Sequence, residues 1–128
     1  MSVLQPQAIQ ELGDRASRED SPVLSVYLNL DPCNPVNRRG GYRLALDNLL
    51  KGIELQIKDD GKSKHFQEDA EWVRQRVEFN LPKGKSLVLF CDASESFFFE
   101  EPLPVRLANQ VWYSATPYVR VLREVVEE

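Results

Sequence analysis

The 128-residue sequence is poor in the side chains that most often announce chemistry, with one histidine, two cysteines and one methionine. Cys33, His65 and Cys91 lie far apart and match no zinc-ligand spacing, so local pattern gives no metal site and implies no cofactor. Nothing near the N-terminus reads as a signal peptide, because Leu4 to Leu12 is broken by Pro6 and glutamines. The expectation is a reduced, cytoplasmic protein whose cysteines pack rather than form a disulfide. No apolar run approaches the length of a membrane-crossing helix. Internal repeats and low-complexity segments are absent.

Catalytic constellations are missing as well. A nucleophilic serine or cysteine needs a base within reach, and the single His65 sits in a stretch that reads as a surface turn. Asp59-Asp60 has lysines beside it as sufficient partners. Two Gly-Lys-Ser triplets, at residues 61–63 and 84–86, resemble the end of a phosphate-binding loop. That motif requires glycine five positions earlier, after a strand and before a helix. Gln56 and Phe79 stand there instead, so nucleotide hydrolysis is not expected. The chain reads as non-enzymatic by itself.

What the chain does have is uneven charge. The net charge is −4, with −3 over residues 1–35, +3 over residues 36–85 and −4 over residues 86–128. The overall sign argues against a general nucleic-acid coat, but the middle third is a basic island able to orient toward phosphate. Within it, Leu46, Leu49, Leu50, Ile53 and Ile57 recur at helical spacing, and Phe66, Ala70, Val73 and Val77 do the same. These patterns predict a helical hairpin over 42–58 and 66–80. Between them lies Asp60-Gly61-Lys62-Ser63-Lys64-His65, expected as a turn in which Gly61 ends one helix and Ser63 caps the next. A polar surface loop is the plain alternative for this segment.

The rest reads as strands around that hairpin. Val23 to Leu30 is β-branched and aromatic-rich, and Asp31-Pro32-Cys33-Asn34-Pro35 ends it. Arg38-Arg39-Gly40-Gly41 opens the first hairpin helix. Ser86 to Cys91 is a second strand, followed by a hairpin loop at 92–96 into Phe97-Phe98-Phe99, whose rings must reach both sheet faces. Pro102 and Pro104 punctuate the next stretch, and Val111 to Ser114 is a further strand. Pro117 suits the first turn of a final helix. The first 20 residues form an extension or a short helix from Gln7 to Leu12 closed by Gly13. The expected fold is a single α/β domain over 1–128, an α/β sandwich with a mixed sheet packed with helices. The final apolar stripe runs nearly to the C-terminus without a C-cap glycine, as though the chain enters another segment. A C-terminal helix docked on the sheet explains it equally.

Three segments carry a likeness: Pro22 to Pro32, Lys85 to Cys91, and Tyr113 to Leu122 with its Pro117-Tyr118-Val119-Arg120. With the order of elements they make the chain resemble the N-terminal domain of archaeo-eukaryotic class-1 peptide-chain release factors, and more closely their bacterial relatives. The resemblance runs from around residue 20 onward. In that family this domain reads the stop codon in the ribosomal decoding site, with Asn-Ile-Lys-Ser at the hairpin tip. Here Asp60-Gly61-Lys62-Ser63 keeps the lysine and serine but not the first two residues. The family's Y-x-C-x-x-x-F motif is met by Trp112 to Tyr118, with aromatic ends kept and Ser114 in place of cysteine. The peptide-releasing Gly-Gly-Gln belongs to another domain of the family, and here Gly40-Gly41 is followed by Tyr42.

The resemblance implies the recognition domain of a longer termination, rescue or quality-control protein, docking on ribosomal RNA or tRNA. Lys62, Lys64, Arg38, Arg39 and Arg43 would contact phosphates, while Ser63 and His65 would offer hydrogen bonds at the tip. Trp112 and Tyr118 are candidate stacking residues. The competing expectation is a protein-interaction module using the acidic sheet side and the C-terminal helix.

Overall fold

Side-chain alternation along β1 (Val23–Asn29) decides the architecture. A strand sends successive residues to opposite faces, yet Val23 through Leu28 are all buried. Both faces of the sheet must therefore be covered. A computed structural model of the protein describes residues 7, 9–11, 22–31, 33, 35–38, 40–58, 60–79, 84–114 and 118–122. Among them β1 pairs with β2 (Ser86–Asp92) on one side and β4 (Gln110–Ser114) on the other, while β3 (Phe97–Leu103) lies outside β2. Three helices fall between β1 and β2: the short α1 (Pro35–Arg38), then α2 (Gly41–Gln56) and α3 (Asp60–Phe79).

On the front face Leu24, Val26, Leu28 and Leu89 meet Leu46 and Leu50 of α2 and Phe66, Ala70, Val73 and Val77 of α3. On the back face Val23, Tyr27, Val88 and Phe90 meet Ile9, Val119 and Leu122. Ile9 is itself a buried member of this back-face core. Fully burying a leucine or phenylalanine contributes about 1.5–3 kcal/mol. Leu24, Leu28, Leu50, Phe66 and Leu89 are all within 1 % of complete burial. Packing of the front face is thus what holds the hairpin to the sheet.

The α/β sandwich holds, but every strand pairing described is antiparallel rather than mixed. The connection from β1 to β2 explains this. A single crossover helix returns the chain for a parallel strand, whereas two antiparallel helices deliver it at the other end. The helices are antiparallel: Arg43 reaches the Glu78 carbonyl, Arg74 pairs with Asp47, and Gln67 donates to Glu54. Pro102 does not stop β3, which continues to Leu103. β3 is an edge strand, where a missing N–H costs no ladder bond. The three phenylalanines split between faces: Phe98 lies 4.9 Å from Trp72, Phe99 stacks 5.4 Å from Phe90, and Phe97 packs on the back-face core.

The junction between the hairpin helices differs from expectation. α2 stops at Gln56, with Ile57 extended at φ −86°, ψ 118°. α3 already starts at Asp60, so Gly61, Lys62, Ser63, Lys64 and His65 are helical rather than a turn. An acid at a helix start is favoured by the backbone dipole, which is the local reason for a start at Asp60. Gly61 and Ser63 look like punctuation in sequence but lie within the first turn. Helix α2 begins as expected, with Gly40 at its N-cap in the left-handed region, φ 77°. Residues 7, 9–11 and 120–122 are helical. The expected closure at Gly13, the Pro117 helix start, and the C-terminal stripe past Leu122 lie outside the described residues.

Candidate functional site

The start of α3 and the end of α2 form the tip of the hairpin. Lys58, Gly61, Lys62 and Lys64 are exposed there, Ser63 is half-buried, and Leu55 is 84 % exposed. Lysines in the first turn of a helix add to the positive end of its dipole, which strengthens the local attraction for anions. Lys64 also borders a groove lined by Glu54, Gln67, Glu68, Glu71 and Arg74, so the basic tip grades into an acidic flank.

The structure divides the basic residues that sequence reasoning placed together. Arg43 sits in the first turn of α2 and reaches the Glu78 carbonyl at the far end of α3. Sixteen helical residues at 1.5 Å each put that end about 24 Å from the tip. Arg38 belongs to α1 at the same far end, and Arg39 lies outside the described residues. Arg43 therefore does not join Lys62 and Lys64 in one patch.

His65 is the larger correction. Its side chain is 11 % exposed and points to the sheet, not to the tip surface. Nε2 lies 3.3 Å from Asp69 Oδ2, one turn on in α3, and 3.4 Å from Asp92 Oδ1 at the end of β2. Both carboxylates are fully buried. Asp69 uses its other oxygen to accept the Ala93 N–H at 2.8 Å and the Cys91 thiol at 3.5 Å. Asp92 Oδ1 accepts the Ser94 hydroxyl at 2.8 Å. Burial pushes the Asp69 carboxyl up to about 6, with the Asp92 charge adding to the rise and the Ala93 N–H, His65 and the Cys91 thiol opposing it.

The neighbours respond to the same two acids. Burial raises the Cys91 thiol, and the Asp69 charge raises it further, so it stays a neutral donor. Burial likewise raises the Tyr113 phenol, followed by Asp69 and Asp92. Tyr113 packs edge-on against Phe66, 5.1 Å between ring centres, and reaches the cluster from β4. Two buried acids and an imidazole can share protons or hold a cation. Two of the three, residues 65 and 69, share a helix face only because α3 starts at Asp60 and takes in His65. Asp92 joins only through the fold.

Trp112 and Tyr118 do come together, with rings stacked 4.1 Å apart at 20°. Trp112 is 40 % exposed and donates its indole N–H to Gln110 at 2.9 Å. Trp112 lies opposite Ser25, whose hydroxyl accepts the Tyr118 N–H at 3.0 Å, and the Tyr27 hydroxyl donates to the Tyr118 carbonyl. The aromatic pair is thus on the back of the sheet, away from the hairpin. Residues 115–117 of the aromatic motif lie outside the described set. Of the cysteines, Cys91 is a buried packing residue as expected, whereas Cys33 is exposed; both are free thiols.

This arrangement, a four-stranded antiparallel sheet with a helical hairpin on its front, defines an α/β class also found in archaeal proteins of known structure. One, described only as an archaeal protein, superposes with a TM-score of 0.68 at 20 % identity, over 95 % of this chain and 34 % of that one. Another is the archaeal translation termination factor aRF1, with a TM-score of 0.66 at 16 % identity, over 94 % of this chain and 33 % of that one. At these identities the likeness is one of fold, an aRF1-like fold. The chain spans about a third of the length of these two structures. No protein-family model matches the sequence, and no curated protein matches it. Among the described residues no helix is long and apolar enough to cross a membrane.

Proposed function

We propose that this chain is a ribosome- or RNA-docking recognition domain of a release-factor-like protein acting in termination, rescue or quality control. In this reading it is the N-terminal domain of a longer cytoplasmic protein, related to bacterial members of the release-factor family, and is non-catalytic by itself. One observation carries the reading: within an aRF1-like fold, Lys62 and Lys64 stand exposed on the first turns of α3 at the hairpin tip. The phosphate contacts belong to Lys62 and Lys64, with Ser63 beside them. Trp112 and Tyr118 form a separate surface on the back of the sheet, where a base could stack.

The test is ribosome co-sedimentation across a salt series with the Lys62→Ala/Lys64→Ala variant. Each phosphate contact steepens the log-log salt dependence by roughly 0.7–0.9. The double variant should bind more weakly and with a slope shallower by roughly 1.4–1.8. Equal binding and slope in a folded double variant would rule out the tip as the contact. A protein partner is the second reading, favoured by the three glutamates lining the groove beside Lys64. Nuclease treatment separates the two: RNA docking is lost, and a protein contact persists.

A further inference from the structure

Beneath the tip, the His65, Asp69 and Asp92 atoms that face one another all lie within 4.8 Å. Three features of this group go beyond a buried ion pair. First, both separations from the imidazole suit a metal. Zinc bonds of about 2.0–2.1 Å in a tetrahedron set ligand atoms about 3.3–3.4 Å apart. Nε2 stands 3.3 Å from one carboxylate oxygen and 3.4 Å from the other.

Second, the hydrogen bonding is incomplete. Despite those separations, His65 Nε2 and Asp69 Oδ2 are buried with no hydrogen-bond partner, and so is the Tyr113 hydroxyl nearby. Asp69 is wholly buried, and its other oxygen is already engaged by Ala93 and Cys91. Orphaned polar atoms in an interior are costly. Here His65 Nε2 and Asp69 Oδ2 face one another. Third, the donor set suits a cation in charge: two buried carboxylates would neutralise a divalent ion with the imidazole neutral.

From these observations we infer that His65 Nε2, Asp69 Oδ2 and Asp92 Oδ1 form a binding site for one divalent transition-metal ion of the zinc class. An imidazole ligand favours zinc, or cobalt in its place, over magnesium and calcium, which prefer all-oxygen shells. Cys91 and Ala93 act on the outer side of Asp69, orienting its free oxygen toward the site as supporting partners of metal ligands do. The Tyr113 hydroxyl, buried without a hydrogen-bond partner, lies beside the site, its ring 6.5 Å from that of His65. A bound ion would link α3 to the end of β2 one helical turn below Lys62 and Lys64. The inference is independent of the RNA-docking reading.

The test uses protein stripped with chelator, titrated with zinc and, separately, with cobalt, followed by calorimetry, thermal melting and visible absorption. Expected are one equivalent of zinc bound, a raised melting temperature, and cobalt absorption of four- or five-coordinate intensity. Magnesium at the same concentration should change nothing. His65→Gln and Asp92→Asn should each lose at least tenfold in zinc affinity, while Cys33→Ser, which removes the exposed thiol, should bind as wild type. Far-ultraviolet circular dichroism establishes that each variant is folded. If one variant fails to fold, the other and the cobalt spectrum of the wild type carry the test. Absence of stoichiometric zinc binding by the folded wild type overturns the inference, as does undiminished binding by either folded variant.

Discussion

Arg76 grips Glu100 with two parallel bonds, Nε to Oε1 at 3.0 Å and a terminal nitrogen to Oε2 at 2.9 Å, tying α3 to the edge strand β3. The bond to Glu100 also raises the guanidinium's already high pKa. Forked geometry distinguishes this pair from an ordinary surface contact. It remains partly solvated, so a double-mutant cycle with Arg76→Ala and Glu100→Ala should give a coupling of about 0.5–1 kcal/mol, read from urea denaturation. A coupling near zero at low salt would mean that the fork does not persist in solution.

Gly84 is held at φ +71°, where an added Cβ would stand 2.7 Å from the Leu103 carbonyl oxygen. That carbonyl is fixed, since it accepts the Lys85 N–H at 2.9 Å. The Lys85 carbonyl in turn accepts the Leu30 N–H at 2.9 Å. Gly84→Ala therefore combines backbone strain with a collision that no rotamer relieves, and should cost about 1–3 kcal/mol by equilibrium denaturation. Gly52→Ala is the matching control. Its Cβ would enter open space in the middle of α2, and the change should be neutral or stabilising by several tenths of a kcal/mol.

Asp31 gives the fold a defined sensitivity to acid. Its Oδ1 accepts the Cys33 N–H at 3.0 Å, which holds the carboxyl below the usual aspartate range despite burial, and Arg106 adds to the lowering. A lowered folded-state value means that this stabilisation is complete above the ordinary carboxylate pKa. It is lost as pH falls through the folded value, that is, below about pH 4. Asp31→Asn should lower the melting temperature at pH 7 and make the remaining stability less dependent on pH below 4. A variant with the wild-type acid limb would show that Asp31 is not the group responsible.

Much of this architecture is legible from the chain, and the failures have local causes. Both hairpin helices follow from periodicity, because each buries one face whose spacing shows directly, and the Val23–Asn29 strand follows from its run of β-branched and aromatic residues. The joint between the helices was hidden because Gly61 and Ser63 carry turn chemistry while Asp60 carries helix-start chemistry, and only packing chooses between them. Sheet direction depends on how many helices the crossover contains and on their orientation, which periodicity does not record. Pro102 read as a stop because nothing local reveals that β3 is at the edge. In the candidate site, exposure of Lys62 and Lys64 was expected. The inward turn of His65 was not, because Asp92 lies 27 residues beyond it in the chain and arrives only through β2.

The length of α2 has a consequence for any nucleic-acid ligand. With Arg43 and the lysine pair at opposite poles of a rod about 24 Å long, the two cannot straddle one groove, because even the major groove of B-form DNA is only about 12 Å wide. A single strand that touched both poles would have to run about seven nucleotides between them at about 3.4 Å each, with the hairpin acting as a fixed spacer.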